Sequence, residues 1–228
     1  MNEQELTGKT RSHIRQFENP RFAAHEEAAA AFLKMKQSAA DEGIELHPFS
    51  AFRDFKTQLK IWNLKYTGKR PLYAIDGQEL DISTMSPESL VKHILNWSAL
   101  PGGSRHHWGT EIDVIDTAAL PDGYQVQLLP QETEEGGVFH KLHRWLDRNM
   151  ERFGFFRPYA RYQNGICPEP WHISYAAISQ PALASLSLEL LDKTIAECSI
   201  SGQKIIQTLL PKIYRDYILN IVPPEFNL

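Results

Sequence analysis

Two short blocks, far apart in the chain, each set a histidine and a carboxylate beside a strand-like stretch. One reads Ser104-Arg105-His106-His107-Trp108-Gly109-Thr110-Glu111-Ile112-Asp113, and the other Glu169-Pro170-Trp171-His172. His106 and Asp113 are seven residues apart. On one uninterrupted strand that odd spacing would put them on opposite faces. Gly109 lies between them and can supply a turn or a bulge. In Glu111-Ile112-Asp113-Val114, Ile112 and Val114 share one face, so Asp113 can point into a cleft while its neighbours pack inward. After the second block, His172 and Ser174 share one face, and Trp171, Ile173 and Tyr175 the other. Both segments predict strands with an apolar back and a polar front.

The rest of the chain supplies helices to cover such strands. Apolar positions Ala28, Ala31, Phe32 and Met35 predict a helix over 20–42, with Pro20 near its start and Gly43 at its end. Residues 45–52 read as a strand. Phe55, Leu59, Trp62 and Tyr66 mark a second helix over 54–66, and 68–82 is a loop or hairpin. Ser86 and Pro87 open a helix, as cap and first residue, that runs to about Trp97. Leu100-Pro101-Gly102-Gly103 is a turn, 111–115 a strand, and 117–136 a surface loop. A helix over 137–153 has Val138, Leu142, Trp145 and Leu146 inward. From Pro181 the pattern is helical, with a break near Ser201-Gly202 and a stop at Pro223-Pro224. Strands interleaved with helices but without βαβ regularity predict an α+β fold.

Composition excludes several classes of function. The 228 residues include 24 basic and 28 acidic side chains, a net charge of −4, which disfavours a broad nucleic-acid surface. No run approaches a membrane span, and the N-terminus has no signal-peptide pattern. A soluble, cytoplasmic protein is expected, with a periplasmic one if the chain was trimmed. Cys167 and Cys198 form neither a disulfide framework nor a metal clip.

Two imidazoles and two carboxylates are the set needed by a zinc centre with three protein ligands and a separate base. Zinc lowers the pKa of bound water to about 7. A carboxylate must then move protons between water and leaving group. Glu169, three residues before His172 and stiffened by Pro170, fits that role. Other histidines make weaker claims. His25-Glu26-Glu27-Ala28-Ala29 begins like HExxH but lacks the second histidine. His107 reads as a supporting or surface group, and His140 and His143 as surface residues on a helix. Trp108 and Trp171 read as wall and core.

Ser104-x-His106-x-x-Gly109-x-Glu111-x-Asp113, followed by Glu169-Pro170-Trp171-His172, resembles the D-alanyl-D-alanine carboxypeptidases of the VanY and VanX type. These belong with the zinc peptidases that include lysostaphin and the hedgehog-like fold. The resemblance covers roughly residues 20–180. It implies a mainly antiparallel central sheet carrying one zinc ion, flanked by helices. It makes His106, Asp113 and His172 the zinc ligands and Glu169 the catalytic base. Ser50-Ala51-Phe52-Arg53 and Gln58 resemble an upstream segment whose arginine stabilises charge and whose glutamine helps bind peptide; Ser104 matches a serine in substrate contact. At Glu111 the family often has alanine. The expectation is thus a catalytic domain over 1–182 with a helical extension over 183–228. Its substrate would be a D-alanine-terminated peptide or muropeptide. An L,D-carboxypeptidase, an endopeptidase and a metal-bearing binding module remain as alternatives, and the oligomeric state is open.

Overall fold

Alternating apolar positions build the centre of the molecule. In the computed structural model, residues 1–75 and 77–226 are described. Asp76, Asn227 and Leu228, and with them parts of the expected 68–82 loop and C-terminal extension, lie outside the described residues. Four strands, β3 (Leu46–Ser50), β4 (Glu111–Asp116), β5 (Phe155–Phe156) and β6 (His172–Tyr175), form an antiparallel sheet in the order β3-β4-β6-β5. A separate hairpin, β1 (Arg15–Glu18) with β2 (Arg21–Ala24), precedes it.

The two faces of β4 divide as the alternation requires. Ile112 and Val114, with Ile173 of β6, pack on α2 (Glu26–Ala40) and α5 (His140–Asn149) through Phe32, Met35, Trp145 and Leu146. All of these side chains are buried. At about 25 cal/mol per Å² of apolar surface, burying each contributes roughly 1.5–3 kcal/mol. The opposite face carries Glu111, Asp113 and His172, also buried.

A second core lies beside the sheet. It joins α3 (Phe55–Tyr66) and α4 (Pro87–Leu95) to α6 (Ala176–Ser185), α7 (Leu188–Ala196) and α8 (Gln203–Ile213). Leu191, Ile195, Ile206 and Leu210 of the last helices pack with Trp62, Val91 and Ile94. Trp108, behind the first block, belongs to the same core and donates to the Leu6 carbonyl at the end of the short N-terminal helix α1 (Glu3–Leu6). Among the described residues no helix is long and apolar enough to cross a membrane.

Three local expectations are corrected, and one short strand is additional to them. The helix expected over 20–42 begins at Glu26, because Arg21–Ala24 pairs with β1 and buries Phe22 and Ala24. The helix expected over 137–153 is α-helical only from His140 to Asn149, tightens into a 3-10 turn over Met150–Phe153, and stops at Gly154 with φ +78°. The C-terminal helices begin at Ala176, not Pro181, and break additionally at Leu186, with Ser187 capping α7. Pro181 sits inside α6. Finally, β5 escaped the hydropathy pattern because two residues show no period.

Candidate metal centre

Strand register sets the first half of the site. Asp113 on β4 lies directly opposite His172 on β6, and His172 Nδ1 is 3.0 Å from Asp113 Oδ1. His106 reaches the same place from the 3-10 turn Arg105–Trp108 that precedes β4. Gly109 ends that turn at φ +68°. A Cβ there would lie 2.3 Å from Ile14 Cδ1 and 2.7 Å from the His25 backbone nitrogen. The left-handed turn breaks the parity of the strand and lets His106 and Asp113 face the same side. His106 Nε2 is 3.5 Å from Asp113 Oδ2, and the two imidazoles meet edge-on with centroids 4.9 Å apart.

Hydrogen bonds determine which nitrogen of each ring faces the centre. The Ala51 carbonyl can only accept, so His106 Nδ1–H donates to it at 2.7 Å and Nε2 is left for a ligand. His172 uses Nε2 toward Glu111 Oε2 at 2.8 Å, and Nδ1 faces Asp113. Donor atoms of His106, Asp113 and His172 all lie within 4.8 Å of one another. Two nitrogens and one carboxylate oxygen suit zinc, with room for an open fourth position. The donor chemistry therefore fits a divalent metal.

Charge in this site is strongly displaced. Burial pushes the His106 pKa down to about 3. Burial opposes charge on His172 as well, but its hydrogen bonds to Asp113 and Glu111 outweigh that and lift it to about 10. Asp113 is held below the usual carboxylate range, because His106, His172 and Arg53 outweigh the effect of burial. Glu169 behaves oppositely: burial, reinforced by Asp113, raises it to about 7 despite His172 and Arg53. Its Oε2 is 3.6 Å from His172 Nδ1. A tight turn sets that distance, since the His172 N–H donates to the Glu169 carbonyl at 3.0 Å with Pro170 between them. Arg157 Nε braces the turn through the Pro170 carbonyl at 2.7 Å.

The site lies at the floor of a cleft of about 630 Å³ whose walls include Trp97, Tyr159, Leu128 and Trp171. Arg53 and Ser104 line it too. Ser104 Oγ is buried and has no protein hydrogen-bond partner. Gln58 is placed differently from the expectation of peptide contact. It is fully buried behind Arg53, accepting from its NH1 at 2.9 Å and donating to the Ala99 carbonyl at 2.7 Å. Arg53 NH2 also donates to Ser50 Oγ at 3.2 Å, so this upstream segment forms one connected support.

Three groups exceed what the sequence predicted. His107 is buried, and the Gly102 N–H donates to its Nε2 at 3.1 Å. Its Nδ1–H therefore donates to the Arg53 carbonyl at 2.6 Å and ties that arginine to the first block. His143, expected on the surface, is buried beside Arg157, whose NH2 lies 3.2 Å from Nδ1. Glu111 faces inward: parity with Asp113 on β4 was the available signal. Burial raises its pKa, but Arg105 and His172 bring it down to about 2. Cys167 is buried near Glu169, and burial pushes its thiol up to about 12, which disfavours the thiolate.

Comparison with known proteins identifies the family. The family model VanY, D-alanyl-D-alanine carboxypeptidase, matches residues 21–178. An uncharacterised protein of Haemophilus influenzae is 37% identical over 122 residues, covering 53% of this chain and 93% of its own length. A D-alanyl-D-alanine carboxypeptidase of Enterococcus faecalis is 33% identical over 85 residues, 36% of this chain and 26% of that protein. Among solved structures, VanYB in complex with D-alanine-D-alanine superposes with a TM-score of 0.50 at 22% identity, covering 81% of this chain and 89% of that one. That likeness is one of fold.

Proposed function

Since the chain belongs to the VanY family of D-alanyl-D-alanine carboxypeptidases, we propose that it releases the terminal D-alanine from D-Ala-D-Ala peptides of peptidoglycan origin, using one zinc ion. The observation that carries this reading is the His106, Asp113 and His172 donor cluster with Glu169 beside it at the floor of an open cleft.

The three donors would hold the metal. When bound, zinc supplies a Lewis acid for the scissile carbonyl and a more acidic water. Glu169, its basicity raised to about 7, takes the proton of the attacking water and later delivers it to the leaving amine. Arg53, held by Gln58, Ser50 and the His107 anchor, presents its positive charge to the developing oxyanion or to the terminal carboxylate. Ser104 offers its unpartnered hydroxyl to the peptide. Tyr159 and Trp171 restrict water at the reacting bond.

The test is a set of stereodefined peptides: the D-Ala-D-Ala dipeptide, a pentapeptide ending in D-Ala-D-Ala, and the corresponding tetrapeptide. Each is assayed for free D-alanine with zinc, with chelator, and after zinc is restored. Release from the first two, abolished by chelator, is the expected result. Release from the tetrapeptide alone would make the enzyme an L,D-carboxypeptidase. Release from none by zinc-loaded protein would overturn the reading.

A further inference from the structure

We propose that Glu111 is a positioning residue for the metal: it accepts the Nε2 proton of His172 and so holds that ring in the tautomer and orientation that presents Nδ1 to zinc. This rests on the reading of His106, Asp113 and His172 as the zinc ligands. It concerns a position where the sequence departs from the pattern it otherwise resembles.

The geometry is specific. Glu111 Oε2 is 2.8 Å from His172 Nε2, while Asp113 stands on the other side of the ring at Nδ1. A ring held between two carboxylates would have no preferred ligand nitrogen unless one carboxylate were committed elsewhere. Glu111 is so committed. Its Oε1 accepts from Ser174 Oγ at 2.7 Å and Thr110 Oγ1 at 3.0 Å, and lies 3.2 Å from Arg105 NH2. Arg105 NH2 also donates to Ser174 Oγ at 2.7 Å, and Ser179 Oγ is 2.8 Å from the same hydroxyl. Neither partner of the ion pair is free to move: Glu111 is fully buried, and the guanidinium lies against the Trp108 ring, 4.8 Å from its centroid.

Arrangements in which a ligating histidine donates its other ring N–H to a carboxylate orient the imidazole and raise its basicity, and their loss costs roughly 10–100-fold in metal affinity. Here the device depends on two residues of the first block. Arg105 supplies the balancing charge, without which a buried carboxylate would be expensive. Glu111 supplies the acceptor.

A simple Glu111→Ala change would strand Arg105 as a buried, unpaired cation, so the test uses two double variants. Arg105→Met/Glu111→Gln keeps an acceptor for His172 and lets the amide NH2 face the Ser174 and Thr110 hydroxyls. Arg105→Met/Glu111→Ala removes that acceptor. Zinc affinity is read by competition with a chromophoric chelator, and ligand geometry from the visible spectrum of the cobalt-substituted proteins. The Gln variant should bind zinc within about threefold of wild type, and the Ala variant roughly 10–100-fold more weakly with altered cobalt bands. Equal affinities and spectra in the two would show that the pair is only structural, and would overturn the proposal. If either variant fails to fold, long-range proton–nitrogen NMR of zinc-loaded wild type decides. A proton on His172 Nε2 with metal on Nδ1 supports the assignment, and the reverse overturns it. Zinc-binding wild type that releases no D-alanine would sink only the proposed activity. Wild type that binds no zinc would sink both.

Discussion

Asp113 and His172 are cross-strand partners on β4 and β6, and the distance from Oδ1 to Nδ1 is 3.0 Å. Two candidate metal donors on neighbouring strands of one sheet are held to the precision of a β-ladder, while His106 arrives through the turn at Gly109. The centre therefore has a rigid half and a half that depends on one glycine.

That dependence makes Gly109→Ala informative. The added Cβ meets Ile14 and the His25 backbone, and φ +68° is disfavoured for alanine. Strain and overpacking together should cost about 2–4 kcal/mol. Urea denaturation would measure it, and zinc affinity should fall with it because His106 is displaced. A variant as stable as wild type would contradict the close packing seen here.

Glu169→Gln should retain zinc, since Glu169 is not among the three clustered donors. Loss of the base should lower kcat by roughly 10²–10⁴-fold. Metal analysis beside D-alanine release separates the two roles; an active variant would require another base.

The pH profile follows from the same carboxylate. As the proposed base Glu169 must be ionised, and burial raises its pKa to about 7 without metal. A nearby divalent cation favours the ionised form and lowers that value. The acid limb of kcat/KM should therefore fall tenfold per unit below a midpoint at or under pH 7, and Glu169→Gln should lack that limb in its residual activity.

Zinc should also stabilise the fold, because the site exists only in the native state. At a hundredfold excess over Kd the gain is about 2.7 kcal/mol. For a chain of this size that is a rise in Tm of about 5–10 °C, removed by chelator. A scanning calorimetry trace unchanged by zinc would show that the donors do not bind it.

His143 predicts an acid-side weakness distant from zinc. Burial and Arg157 lower its pKa to about 3, while the unfolded imidazole titrates near 6.5. Between those values the unfolded state binds the extra proton. Stability is thus lost as pH falls from about 6.5 toward 3, by up to 1.4 kcal/mol per pH unit for this one group. His143→Gln should flatten the slope of unfolding free energy between pH 6 and 4 by that amount. His106 and His107 are lowered in the same way and keep part of the slope.

Much of the site was legible because local rules suffice for it. Ile112, Val114 and Ile173 had to share a face, so Asp113 and His172 had to share the other. Ser86 and Pro87 announced α4, where the Ser86 side chain accepts from the Ser89 N–H. Residues 21–24 were misread as helix because the alanine run beyond them dominates the pattern. Their strand state comes from pairing with 15–18, which hydropathy does not register. His143 looked exposed because a helix surface is polar by default; in the fold it is buried, with Arg157 against its Nδ1.

By itself, then, the sequence determined the donor types, their order and the faces they occupy, because those follow from residue chemistry and from the two-residue period of a strand. Tertiary structure alone decided what surrounds the donors. It set Glu111 against His172 with Arg105 behind it, turned Gln58 into a brace for Arg53, and brought His107 to the Arg53 carbonyl. Hydrogen bonding and desolvation depend on atoms contributed by distant segments, and their positions become defined only when β3, β4 and β6 pair and the helices close over them.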